Sequence, residues 1–278
     1  MSRRRNLEAA GQAVTHLVLV AICLLFVLPF AWMILSSFKP ALEIIKIPQT
    51  LLPRKWTLIN FSTIFQRLQF WRFFLNSLIV CVSVTLIAIL SSSLAGFVFT
   101  KFKFAGKEVI FIVFLSGLMI PFSIIVIPLY LFISKIGLEN TYLGLILPLC
   151  VSPFGIFLMR QFMEGIPMDM IEAARIDGAS NLWIFTRVMA PLSTAGMGGV
   201  GVFTFLWTWN QLWWPLVIIS KARMRPLSLA VAALTFQHAK RYDMIVTGAT
   251  LAVIPVLLVF IFAQRSLIKG MTLTGMKV

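Results

Sequence analysis

Apolar residues run in blocks of about 20 or more along the chain, separated by short polar or mixed stretches. A helix rises about 1.5 Å per residue, so a block of that length crosses about 30 Å of hydrocarbon. Six blocks read as spans, at roughly 13–38, 73–99, 109–133, 141–163, 184–210 and 243–264. The pattern predicts an all-α integral membrane fold with six transmembrane helices, one transmembrane domain over 1–278, and both ends on one side. The connections differ in character. Residues 39–72 are long and carry Pro40, Pro48 and Pro53. Residues 99–108 are short and basic, and 134–140 are a tight turn with Gly137. Residues 164–183 are amphipathic, and 211–242 are long and mixed. Arg3, Arg4 and Arg5 ahead of an apolar run suggest a signal peptide. That run continues from Val14 to about residue 38 with no Ala-x-Ala after it, so it reads as an uncleaved first span.

Proline recurs inside the blocks, at Pro29, Pro121, Pro128, Pro148, Pro153, Pro191 and Pro255. Each removes a helix hydrogen bond, which membrane helices tolerate when neighbours satisfy the freed carbonyls. Kinked helices around a pathway that opens, and ordinary kinks in a static bundle, fit the pattern equally.

Of the 278 residues, 60% are hydrophobic and 12% charged, against about half and a quarter in soluble domains. The net charge of +15 does not indicate nucleic-acid binding. The 24 basic residues are scattered among the connections, where they suit anionic lipid headgroups. With cytoplasmic termini they divide into about 12 on each side, so the positive-inside rule ties. Arg160 and Arg187 lie near span ends, and no carboxylate or histidine sits deep in a span as a proton-coupled carrier would need. His16 and His238 suggest no relay. Cys23, Cys81 and Cys150 are odd in number and lie in apolar segments, so neither disulfide framework nor metal site follows.

Residues 164–191 carry the most local information. Pro167 suits a helix first turn and Asp169 complements its N-terminal dipole. Met168, Ile171 and Ala174 or Arg175 follow at helical spacing. Gly178 can adopt the left-handed conformation that ends a helix, and Ser180 can cap a second helix running into the fifth span. Glu172 can pair with Arg175 or with a basic group on a partner. Physics alone leaves two readings open: a helix lying on lipid, or a low-profile face, with Ala173 and Ala174, for the groove of another protein.

Glu172-Ala173-Ala174, three residues, then Gly178, with Asp177 before it and Pro191-Leu192 downstream, resembles the "EAA" loop of binding-protein-dependent ABC importer permeases. Asn76-Ser77 resembles the start of their second span, and Ser36, Phe38 and Lys39 the end of their first. Thr208-Trp209-Asn210-Gln211 with Pro215 resembles the outer end of their fifth. The tail from Gln264-Arg265 through Lys269-Gly270 to Lys277 resembles theirs, with Met271, Thr274 and Met276 as departures. Ala190-Pro191 and Gln211 depart from the usual Leu-Pro and acidic residue. The match runs along about the whole chain and is similar to the shorter permease of maltose-type carbohydrate importers.

The resemblance implies a bacterial cytoplasmic (inner) membrane location with both termini cytoplasmic. The loop at about 164–183 becomes a cytoplasmic coupling helix between spans four and five, with Glu172, Ala173, Ala174, Asp177 and Gly178 contacting an ATPase. Arg265, Lys269, Gly270 and Lys277 form a second contact to it. Implied partners are a second homologous permease, two ATP-binding subunits holding ATP and magnesium, an extracytoplasmic solute-binding protein meeting about 211–242, membrane lipid, and a sugar-like substrate. Asn76, Trp207, Trp209 and Asn210 are candidates for the substrate path. An interfacial aromatic belt, including Trp213 and Trp214, is the competing reading.

No catalytic set and no cofactor site stand out in the chain itself. Gly106-Lys107 lacks the earlier glycine and the Ser or Thr of a phosphate loop. Residues 196–201 fit GxGxxG by letter but lie within the fifth span, where small residues serve close helix packing. Asn60-Phe61-Ser62 is a sequon by letter only. A secondary carrier or channel for a small polar solute remains the alternative function.

Overall fold

A computed structural model describes residues 2–67, 69–237 and 241–275, and all their regular structure is helical. The described residues fall into two compact units, 1–70 with 231–253, and 71–230 with 254–278. In the first unit α1, Ser2–Ser36, runs through Pro29 without a break and presents apolar side chains from Val14 to Ile34. After it come α2, Ala41–Ile44, and α3, Ile59–Arg67.

Side-chain bonds organise the connection between α1 and α3. Lys39 is buried and donates to the Thr50 carbonyl. The Glu43 carboxylate accepts from the amides of Arg54 (2.7 Å) and Lys55 (3.4 Å), which hold it below the usual carboxylate range. Asn60 is buried and donates to the Ser37 and Lys39 carbonyls, both at 2.9 Å. The sequon asparagine is thus a clamp in this fold.

In the second unit α4, Phe70–Lys101, crosses unbroken. Three of the sequence-predicted spans are broken. The block at 109–133 divides into α5, Lys107–Ser116, and α6, Phe122–Lys135. Pro121 adopts an extended ψ of 132° ahead of α6, and a proline also disfavours helix in the residue before it. Hydropathy stays high across the gap and so hides it.

The block at 141–163 divides into α7, Tyr142–Ile146, extended by a 3-10 turn at Leu147–Leu149, and α8, Pro153–Glu164. The two parts meet at 46°. Ser152 caps α8 by accepting from the Gly155 amide at 3.0 Å, and Pro153 takes the first turn, where no donor is needed.

The amphipathic connection holds α9, Met168–Ile176. Then α10, Asn181–Ile184, passes into a π-helical stretch, Phe185–Met189, and α11, Ala190–Leu192. Pro191 offers no amide to the Arg187 carbonyl, which accounts for the widened turn before it. A 78° bend at Ser193 leads into α12, Thr194–Trp209. The mixed connection after it contains α13, Trp213–Ile218, a 3-10 turn at Ala222–Met224, and α14, Leu227–Gln237. The chain ends on α15, Tyr242–Gly275, apolar as far as Gln264 and continuous through Pro255.

Among the described residues three helices are long and apolar enough to cross a membrane, or up to five spans if each bent pair is one. The expected third span, 109–133, is the one left divided, between α5 and α6.

Three helices of the second unit pack on small residues. A Cβ on Gly96 of α4 would lie 2.8 Å from Met159 Cβ and 2.9 Å from the Met159 carbonyl carbon on α8. A Cβ on Gly196 of α12 would meet the Phe162 ring at 2.7 Å, and one on Gly199 would meet Leu158 Cδ2 at 3.2 Å. Within the stretch 196–201, Gly196 and Gly199 therefore let α12 approach α8 closely, and Gly201 faces Ile89 of α4.

Candidate functional site

The α9 region is built from its two ends. Pro167, extended at φ −56° and ψ 139°, stands as the N-cap, one place earlier than the first turn expected for it. Asp169 lies in the first turn and Arg175 in the last, both favourable to the helix dipole. At the C-terminus the Gly178 amide donates to the Arg175 carbonyl (3.0 Å) and the Ala179 amide to the Ala174 carbonyl (2.9 Å). Gly178 has φ +81°. This is the Schellman arrangement, with Ala174 and Ala179 both at the edge of the same apolar cluster. Ser180 then caps α10 by accepting from the Trp183 amide at 3.2 Å.

One face of α9 is anchored. Ile171 is fully buried among Phe97, Met163, Ile184, Phe185 and Met189, with Met168 and Ala174 beside it. The other face carries Glu172, Ala173 and Asp177, all exposed. Arg175 leans over the Phe102 ring at 5.8 Å in place of the expected pairing with Glu172. Beneath the start of α9 lies an open groove of about 410 Å³ lined by Thr100, Lys101, Lys103, Glu164, Met168 and Glu172.

A second candidate region lies at the end of α12. Trp207 and Asn210 are exposed, and with Phe203, Leu206 and Gln211 they line an open groove of about 410 Å³. Trp207 meets Phe122 edge-on at 5.8 Å. Trp209 is 4% exposed and stacks on Phe205 at 5.7 Å. Trp213 is exposed, whereas Trp214 is buried and donates from its indole to the Gly144 carbonyl at 3.1 Å.

Asn76 is 3% exposed and lies apart from that groove. Its amide donates to the carbonyls of Arg223 (2.9 Å) and Arg225 (3.0 Å), and its oxygen accepts from the Tyr142 hydroxyl (2.6 Å). Ser77 next to it accepts from the Leu227 amide at 2.7 Å. The pair clamps the connection that follows α13. Asn76→Leu strands the Tyr142 hydroxyl and two carbonyls, a cost of about 1–3 kcal/mol. A lower thermal midpoint of the detergent-purified protein is expected. Tyr142→Phe removes one bond only and should lower it less. Equal midpoints for Asn76→Leu and the parent protein would refute the clamp.

Sequence reasoning missed three contacts that frame these regions. Lys101 is buried and its ammonium donates to the Ile166 carbonyl, just ahead of α9, at 2.5 Å. Arg160 of α8 pairs with Glu108 at 3.0 Å and lies 4.0 Å over the Phe111 ring. Asn140 accepts from the Ser220 and Lys221 amides, both at 2.8 Å, tying the tight turn to the end of α13. A polar residue in or beside an apolar block was the available signal for each. Among the described residues no group of three or more His, Cys, Asp or Glu comes together as a metal site. Side chains beyond Gln264, and all of Lys277, lie outside the described residues, and with them the tail set of Arg265, Lys269, Gly270 and Lys277.

Comparison with known proteins bears on what these surfaces serve. Residues 88–273 match the family described as "Binding-protein-dependent transport system inner membrane component". The chain is 34% identical to the arabinooligosaccharides transport system permease protein AraQ of Halalkalibacterium halodurans, over 92% of this chain and 93% of that protein. It is 33% identical to the diacetylchitobiose uptake system permease protein NgcG of Streptomyces coelicolor, over 91% and 85%. Among solved structures, a chain of a bacterial ABC transporter for import of the acidic polysaccharide alginate superposes with a TM-score of 0.81. That alignment covers 92% of this chain and 96% of the other at 19% identity, which shows a shared fold.

Proposed function

The chain belongs to the binding-protein-dependent transport system inner membrane component family, and we propose that it forms half of the pathway of an ATP-driven importer for an oligosaccharide or similar sugar-like solute. The relatives named for arabinooligosaccharides and diacetylchitobiose support that substrate class. In this reading α5 and α6 together make the third of six spans. A second homologous permease completes the pathway, two ATP-binding subunits hold ATP and magnesium, and a soluble binding protein delivers solute near 211–242. Alternating access follows from closure of the ATP-binding subunits.

The observation that carries the reading is the two-faced α9. Its inner face is locked by Ile171, its end is fixed by Gly178, and Glu172, Ala173 and Asp177 face outward. A helix so held suits docking in a cleft of the ATPase and passing on motion without bending. Docking there puts 164–183 and both termini on the cytoplasmic side of the inner membrane. Arg265, Lys269, Gly270 and Lys277 would add a tail contact to the same subunit. In the groove at the end of α12, Trp207 offers an aromatic face and Asn210 an amide for sugar hydroxyls. Trp209 is buried against Phe205 on the same helix, whereas Asn76 lies apart from the groove and holds the connection after α13.

Glu172→Lys reverses the charge at an exposed position on the outer face. Retention of the ATPase on an affinity-tagged permease is expected to fall about tenfold, the loss of a charged contact worth about 1.5 kcal/mol. Normal retention would count against the docking face. Uptake into vesicles by this chain alone, without ATP, would instead favour a secondary carrier.

A further inference from the structure

We propose that the C-terminal end of α4 is a lever on α9, with Lys101 as its positioning residue, so that motion of the coupling helix drives α4 directly as well as the helices adjoining it in sequence. The inference rests on the docking role proposed for α9.

Four contacts make the case. The Lys101 ammonium is buried and donates to the Ile166 carbonyl, so it grips the backbone immediately ahead of Pro167 and α9. It also lies just past the C-terminus of α8, where the helix dipole favours a cation. The next residue, Phe102, lies under Arg175, in the last turn of α9. Phe97, one turn back in α4, meets Phe102 edge-on at 5.2 Å and Phe185 at 5.7 Å. The end of α4 therefore touches both ends of α9 and the helix that follows it.

The contact is stiff. Gly96 brings α4 against the backbone of Met159, so α4 and α8 cannot close further. Glu164 lies near enough to act on the ammonium, but the Ile166 carbonyl is what it donates to, so sliding α9 away from α4 breaks a hydrogen bond from a charged donor. Displacement of α9 is then cheaper if α4 moves with it. The cost of separation is what makes Lys101 a transmission point and not only a fold contact.

The test uses the assembled importer, purified with its partner subunits and placed in proteoliposomes. Uptake per ATP hydrolysed is measured for the parent protein, Lys101→Met and Lys101→Arg. Each carries Ala173→Cys to report docking by cross-linking to the ATPase. Lys101→Met keeps the length of the side chain and removes its charge. It is expected to keep the cross-link and ATP hydrolysis while uptake per ATP falls about tenfold, the worth of a hydrogen bond from a charged donor. Lys101→Arg restores a donor and should recover a substantial part of that loss.

Unchanged uptake per ATP in Lys101→Met overturns the proposal, as does an equal loss in both variants. If Lys101→Met does not assemble, Phe102→Ala removes the second contact without stranding a charge. Its uptake per ATP should fall, and an unchanged value overturns the lever. Absence of the Ala173→Cys cross-link with Lys101 intact would instead refute docking of α9, so the two failures are distinct.

Discussion

Gly178→Val is expected to reduce ATP-driven uptake at least about tenfold while the protein still reaches the membrane in normal amount. Space and backbone conformation act separately at this position. A Cβ at Gly178 meets nothing within 4 Å, so the valine side chain has room. The obstacle is φ +81°, where a non-glycine residue costs about 1–2 kcal/mol and a β-branched one more. That turn carries both Schellman bonds and sets the direction of α10 through Ser180. Relieving the strain therefore swings the end of α9 against the start of the next helix. A strain of about 1.4 kcal/mol at a mechanical joint corresponds to a factor of about ten. Gly178→Asn is the control, because asparagine tolerates the left-handed region and should keep most of the uptake. Uptake by Gly178→Val equal to that of the parent protein would remove the turn from the mechanism.

The legible parts of this fold are those governed by local chemistry. Blocks of apolar residues located α4 and the apolar parts of α1 and α15, Gly11–Ser36 and Tyr242–Gln264, to within a few residues, whereas the two helices themselves run on to Ser2 and Gly275. Gly178, Pro167 and Ser180 located both ends of α9 and its turn, because caps act over two to four residues. The breaks were not legible. Residues 117–121 remain apolar across the gap, and a hydropathy pattern records burial in lipid, not direction. Pro121 and Pro191 accompany breaks, whereas Pro29, Pro128 and Pro255 lie within continuous helices. The residue type alone therefore does not decide between a kink and a break.

Long-range partners were equally hidden. Nothing local in Lys101 points to Ile166, 65 residues away. The four substrate-path candidates shared amide or aromatic chemistry. The fold exposes Trp207 and Asn210 and occupies Asn76 with three hydrogen bonds, a difference of burial that sequence spacing does not encode.

Gly96→Val is expected to act by the opposite route from Gly178→Val and to cost the most in folding. Gly96 lies in regular helix, so the backbone tolerates any residue there. Its Cβ would lie 2.8 Å from Met159 Cβ, 2.9 Å from the Met159 carbonyl carbon and 3.1 Å from the Arg160 amide nitrogen. Two of these are backbone atoms, so no side-chain rotation relieves the overlap, and α4 must separate from α8. Overpacking of this kind typically costs about 1–3 kcal/mol, and valine adds two methyl groups to the overlap. The same separation pulls Ser92 from Gly155 and Lys101 from the carbonyl ahead of α9. Low abundance in the membrane and a depressed thermal midpoint in detergent are therefore expected together with lost uptake. Gly199→Ala provides the contrast, because its Cβ meets only the flexible end of Leu158 at 3.2 Å. That variant should remain folded and active. Normal abundance and stability of Gly96→Val would mean that α4 and α8 are free to separate, and the lever formed by the end of α4 would lose its rigid support.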